Sequence, residues 1–292
     1  MAKRVVEGGF GIFTTFHKRR EAADALAALG ATVLGSPAEV ARAADVVITI
    51  VPADAELKAT VLGAGGLLEG FSPGKVLIDM TTCTAMTLLE LEKALTTAGV
   101  SVLDAPVSGG TTGAVNGKLT IMVGGDAALL ERCRPLLETM GTRIVHVGAV
   151  GQGKVVKIVN QVMAAVNLLA IGEAFALGVR CGADPATLYS VIKESSGASA
   201  MLDSRLPGFL LKGSFQPGFR LDLMKKDIDL AIDSARAQKV PLLLGATASQ
   251  VFSAASGAGK GDLDFSAAAQ FLASLAGVSL HKTEGAGLAA RT

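Results

Sequence analysis

The chain has 292 residues, half of them apolar and 18% charged, with a formal net charge of +1. That length fits two domains or one large one, and the near-neutral balance removes any general electrostatic drive toward nucleic acid or an anionic membrane. Three widely spaced cysteines (Cys83, Cys133, Cys181) and only three histidines argue against a disulfide framework and a metal centre, and fit a reducing cytosol.

From about Phe13 to Gly148 short apolar runs alternate with helical stretches. A helix is predicted over Pro37–Ala44, followed by the β-branched run Asp45–Val51, which ends in Pro52 and reads as a buried strand. Lys75–Met80 and Ser101–Ala105 repeat that character on either side of a helix over Thr84–Ala98. Two more strands, Lys118–Val123 and Arg143–Val147, flank a helix over Ala127–Met140. Strands alternating with helices predict an α/β Rossmann-like, doubly wound domain with a mostly parallel sheet. After Gly151 only helices are expected: a long one over Gly153–Arg180, then Asp184–Glu194, Leu221–Gln238, Pro241–Ala255 and Ser266–Leu275. The division is therefore placed near Val150, giving residues 1–150 and an all-α domain over 151–292. Polar residues within Val155–Val179 argue against a transmembrane span, and the N-terminus lacks a signal-peptide arrangement, so a soluble cytoplasmic protein is expected.

Three stretches carry chemistry. In Gly148–Gln161, glycines lead into a helix on which Lys157, Asn160 and Gln161 stand at i, i+3 and i+4 and share a face. A lysine buried there would lose solvation, and its lowered pKa would make it a proton donor near neutral pH; the competing reading is a solvated polar stripe with Lys154 as neighbour. Asp104–Ala114 follows a predicted strand at the carboxyl end, where open α/β sheets bind ligands. There Ser108 with the N–H groups of Gly109 and Gly110 can cradle a carboxylate, or simply form a glycine turn. Met224–Asp227 is a charged helical face of little weight alone. Thr81 and Thr82, after the strand ending at Met80, read most simply as caps of the next helix.

Together and in this order, these pieces resemble the β-hydroxyacid dehydrogenases, the group of 3-hydroxyisobutyrate dehydrogenase and the tartronate, glyoxylate and succinic semialdehyde reductases. The resemblance runs from Met1 to about Leu275. It implies Lys157 as the catalytic acid/base, Ser108, Gly109 and Gly110 as the carboxylate loop of a small carboxylate substrate, and Asn160 as the substrate-orienting amide. Gln161 stands where many members carry a second asparagine. Val51, Pro52 and Thr82 match positions on the nicotinamide side, and Lys226 matches the lysine that closes over the cofactor. A homo-oligomer is expected from the apolar helical half. Basic His17, Lys18 and Arg19 follow the strand Phe13–Phe16, where an NAD site usually carries an acid, so NADP(H) is favoured over NAD(H).

The resemblance departs at the start. Family members open with a strand, a Gly-x-Gly-x-x-Gly turn and a helix, whereas Met1–Phe13 reads as the end of that helix leading into the second strand. Gly8, Gly9 and Gly11 follow no strand and lack the spacing of a phosphate loop. The expectation is a late-assigned start or a truncation, with Met1 an internal methionine, leaving neighbouring strands without a ladder partner. A non-catalytic or cofactor-deficient scaffold homologue is the alternative. Imine reductases usually replace the lysine present here as Lys157, and 6-phosphogluconate-type enzymes carry a longer α-domain.

Overall fold

The computed structural model describes residues 1–281. The first part alternates short elements: α1 (Ala2–Glu7), β1 (Phe13–Thr14), α2 (Glu21–Ala27), β2 (Thr32–Val33), α3 (Pro37–Ala43), β3 (Val46–Thr49), α4 (Asp54–Leu62), α5 (Leu67–Gly70) and β4 (Val76–Asp79). It continues with α6 (Ala85–Thr97), β5 (Ser101–Asp104), β6 (Val107–Ser108), α7 (Gly110–Asn116), β7 (Leu119–Gly124), α8 (Ala127–Glu138) and β8 (Gly141–Gly148). The rest of the described chain is helical: α9 (Gln152–Arg180), α10 (Pro185–Ile192), α11 (Ala200–Arg205), α12 (Leu221–Ala237), α13 (Leu243–Ala255) and α14 (Ala267–Leu275). A single π-turn extends α11 over Leu206–Leu210, and the turn Ser256–Lys260 after α13 is kinked by non-helical backbone at Ala258 and Gly259. The architecture is the expected Rossmann-like α/β domain followed by an all-α domain. By internal packing the chain divides within α9, between Ile158 and Val159.

In the first unit six strands form one sheet in the order β3-β4-β5-β7-β6, with β8 added beside β7. β3, β4 and β5 run parallel, and their last residues align across the sheet, Thr49 with Asp79 and Asp79 with Asp104. β7 turns antiparallel to β5 and β6. The buried β-branched and aliphatic residues of these strands explain the sheet: Val76, Leu77 and Ile78 point alternately into two apolar clusters on its opposite faces. β1 and β2 pair only with each other, as a separate two-stranded parallel ribbon. Among the described residues no ladder joins β1 to β3.

The second unit has its own core, in which Ala165, Leu168 and Phe175 of α9 pack with Leu206, Ile228, Phe252 and Phe265. One expectation about α9 is corrected. Its interior polar residues do not bring it below the hydropathy of a spanning helix: it is long and apolar enough to cross a membrane, with mean hydropathy 1.9 over its most apolar 18-residue window. Its residues Ala165, Leu168, Leu169, Ile171, Phe175 and Ala176 are nevertheless buried in the helical core just described. A second correction concerns the cap of α6. Thr84, not Thr81 or Thr82, accepts the N–H of Thr87, and the buried Thr81 is engaged elsewhere.

Candidate active site

The carboxyl ends of β3, β4 and β5 carry a buried polar network that ends on the first turn of α9. Asp104, the last residue of β5, is fully buried and accepts the N–H of Gly151 (2.8 Å) on one oxygen and that of Lys154 (2.9 Å) on the other. Its carboxylate therefore satisfies amides that a helix start leaves without intrahelical partners. Burial pushes the Asp104 carboxyl above its ordinary pKa, against the opposing pull of the Gly151 amide and the Lys154 charge and amide. Gly153 permits this approach. A Cβ there would stand 2.5 Å from the Met122 carbonyl oxygen and 2.6 Å from Asp104 Oδ2. The glycines ahead of Lys157 thus admit the sheet itself to the helix terminus.

Asp79, at the end of β4, accepts from Thr49 Oγ1 (2.7 Å) and the Thr81 N–H (3.3 Å), while Thr81 Oγ1 accepts the Val51 N–H (3.2 Å). Lys154 closes the network. Its side chain is wholly buried and its ammonium donates to Asp79 Oδ2 (2.6 Å) and to the carbonyls of Asp79 (2.8 Å) and Thr81 (2.7 Å). The reading of Lys154 as part of a solvated stripe is corrected by this burial.

Lys157 lies one turn further along α9 and is 8% exposed. Ser108 stands four residues beyond Asp104, half-buried, and Gly109 and Gly110 are exposed. Both glycines adopt positive φ (130° and 62°), so the turn requires glycine whatever it binds. Val51 and Thr82 are half-buried and Pro52 exposed, each just past the end of β3 or β4. His17, Lys18 and Arg19 are exposed between β1 and α2. Among the described residues no group of histidines, cysteines and carboxylates could hold a metal ion.

In the second unit, Asn160 is half-buried and Gln161 buried. Gln161 Nε2 donates to Asp227 Oδ2 (2.7 Å), and its Oε1 accepts from Asn160 Nδ2 (3.2 Å). A carboxylate can only accept, so Asp227 fixes which way both amides point. Lys226, on α12, pairs with Asp227 Oδ1 at 2.9 Å.

Sequence reasoning missed Asp79, Asp104, Lys154 and the buried half of the Lys226-Asp227 pair. A signal existed for the first two: an acid closing a wholly apolar strand faces burial and needs partners.

Comparison with known proteins shows the family. The family model described as the NAD binding domain of 6-phosphogluconate dehydrogenase matches residues 1–148, and that described as NAD-binding of NADP-dependent 3-hydroxyisobutyrate dehydrogenase matches residues 151–272. The chain is 37% identical over 256 residues to 2-(hydroxymethyl)glutarate dehydrogenase of Eubacterium barkeri, covering 88% of this chain and 85% of that one. The chain belongs to the β-hydroxyacid dehydrogenase family. It is an NAD(P)-dependent oxidoreductase acting on CH–OH groups. L-threonate dehydrogenase of Cupriavidus necator is also 37% identical, with 91% of this β-hydroxyacid dehydrogenase and 90% of that protein aligned. The solved Mycobacterium tuberculosis 3-hydroxyisobutyrate dehydrogenase with L-serine superposes with a TM-score of 0.84 at 33% identity, covering 93% and 94% of the two chains.

Proposed function

We propose that this dehydrogenase interconverts a short β-hydroxy acid and its semialdehyde or keto form, using NADP(H) in preference to NAD(H), with Lys157 as general acid and base. The observation that carries the reading is the placement of Lys157. It is a buried lysine one turn into a helix anchored to the carboxyl end of β5, four residues ahead of Ser108. The cofactor, when bound, supplies or accepts the hydride. In reduction the Lys157 ammonium gives a proton to the substrate carbonyl oxygen and its charge favours the developing alkoxide; in oxidation the neutral amine removes the hydroxyl proton. Ser108 and the N–H groups of Gly109 and Gly110 hold the substrate carboxylate. Asn160 orients the reacting group, and Gln161, tied to Asp227, keeps the Asn160 amide in one orientation.

The residues present fit two ends of a dinucleotide. Val51, Pro52 and Thr82 form a shelf at strand ends for the nicotinamide, Lys226 is assigned to the cofactor by resemblance, and His17, Lys18 and Arg19 offer exposed basic groups for a 2′-phosphate. Gly8, Gly9 and Gly11 do not fit a pyrophosphate, since they follow the six-residue α1 and not a strand. A cofactor-deficient binding homologue of the same fold is the second reading. The exposed Val159, Met163 and Leu177 along α9 support a homo-oligomer, and the cytoplasm is the compartment this reading assigns.

Titration of NADPH and NADH, followed by cofactor fluorescence, separates the two readings. Saturable binding, tighter for NADPH, is expected. The double variant Lys18→Ala/Arg19→Ala should weaken NADPH by about tenfold or more, the effect of at least one charge-assisted hydrogen bond, and leave NADH unchanged. Absence of binding to either nucleotide would support the scaffold reading instead.

A further inference from the structure

The ammonium of Lys154 is not used by the mechanism above, yet it is the most completely engaged charged group at the strand ends. All three of its protons are assigned, to Asp79 Oδ2, Asp79 O and Thr81 O, at 2.6, 2.8 and 2.7 Å. Its own backbone N–H is bound by Asp104 at 2.9 Å. One residue thus ties together the ends of β4 and β5 and the first turn of α9. Through Asp79 and Thr81 the tie extends to Thr49 and Val51 at the end of β3. Lys157 follows three residues later, about 4.5 Å further along the helix axis. All these residues belong to the first unit.

Stability alone is a weak reason for such a pair. Taking both charges out of water costs several kcal/mol per ion, and well-packed apolar side chains of similar size usually serve as well or better. What an ammonium with three fixed acceptors adds is geometry. It holds the backbone carbonyls of residues 79 and 81 at set distances from the helix that carries the proposed acid/base.

We propose that Lys154 is a positioning residue for hydride and proton transfer, setting the spacing between the strand-end shelf of Val51, Pro52 and Thr82 and the Nζ of Lys157. The inference rests on the reading of Lys157 given under Proposed function. Lys154 touches neither substrate nor cofactor in this scheme, and acts through the segment Asp79–Thr82 and the first turns of α9.

The test compares the parent protein with Lys154→Met and with Lys154→Met/Asp79→Asn. The single variant leaves a buried carboxylate without its cation, so loss of folding there is uninformative; the double variant removes that charge. Three quantities are read on the double variant: NADPH affinity, kcat with the primary isotope effect from deuterated NADPH, and amide hydrogen exchange without ligand. NADPH affinity is expected within about threefold of the parent. Because misplacement by an ångström costs up to about a hundredfold, kcat should fall by roughly 10- to 100-fold, and the isotope effect should rise as hydride transfer becomes limiting. Exchange at Thr81, Thr82 and Gln152–Ile158 should quicken at least tenfold, and exchange in α8 should not change. Unchanged exchange in those segments overturns the proposal. So does unchanged kcat in a protein whose Lys157→Ala variant is inactive. If Lys157→Ala remains active, the acid/base reading fails by itself, and the exchange measurement still decides whether Lys154 is a clamp.

Discussion

Replacing Lys157 by alanine is expected to lower kcat by about 10²- to 10⁴-fold, the usual span for a positioned general acid or base. This corresponds to roughly 3–5 kcal/mol of lost transition-state stabilisation. The binding of NADPH should change little, because the proton transfer assigned to Lys157 occurs at the substrate oxygen. Lys157 is 8% exposed, so truncation also leaves space inside the protein. Lys157→Met controls for this by filling most of that space without supplying a proton. Both variants should be equally slow while differing in thermal stability, as cavity formation is felt by one and not the other. Small primary amines in the assay buffer should restore part of the activity of Lys157→Ala and none of that of Lys157→Met. A Lys157→Ala protein with parental kcat would remove the acid/base assignment.

Gly153→Ala is expected to cost about 3 kcal/mol of stability, combining overpacking with disrupted helix-terminal hydrogen bonds. The new methyl would meet the Met122 carbonyl oxygen at 2.5 Å, Asp104 Oδ2 at 2.6 Å and the Asp104 carbonyl oxygen at 3.1 Å. None of these can step aside cheaply. Met122 lies inside β7, whose ladders run to β6 and β8, and the Asp104 carboxylate is held by two amides of the very helix being displaced. The first turn of α9 must move instead, and Lys157 with it. Thermal unfolding should therefore begin roughly 6–12 °C earlier, at about 2–4 °C per kcal/mol for a protein of this size. Gly110→Ala provides the contrast: its Cβ would meet nothing within 4 Å, and only the φ of 62° opposes it, a cost of about 1–2 kcal/mol. Equal melting temperatures for Gly153→Ala and the parent would show that the helix terminus does not approach the sheet as described.

The parts of the fold that were legible in sequence are those with a long or strongly apolar signal. The runs around Val46–Thr49, Val76–Asp79 and Ser101–Asp104 are recovered as the parallel heart of the sheet, and the long helix begins within a residue of its expected start. Asp54–Leu62 and Ala200–Arg205, by contrast, were not anticipated as helices; both are short, and each takes its place from packing as much as from sequence. At the site, sequence could show that Lys157, Asn160 and Gln161 share a helical face, because i, i+3 and i+4 spacing is a local property. It could not show that Lys154 is buried. The group that makes its burial tolerable, Asp79, lies 75 residues away, and Asp104 reaches Gly151 across 47. The orientation of Gln161 is legible only after folding for the same reason, since Asp227 sets it from 66 residues away.

The central claim is that a β-hydroxy acid is oxidised with its carboxylate held by Ser108, Gly109 and Gly110. The most direct measurement is the rate of NADP⁺ reduction with a short β-hydroxy acid, set beside the rate with its methyl ester. Turnover of the acid is expected, with a kcat/KM for the ester lower by roughly 10- to 100-fold, the worth of a charge-assisted carboxylate contact. Equal turnover of acid and ester, or turnover of simple alcohols in place of hydroxy acids, would contradict it.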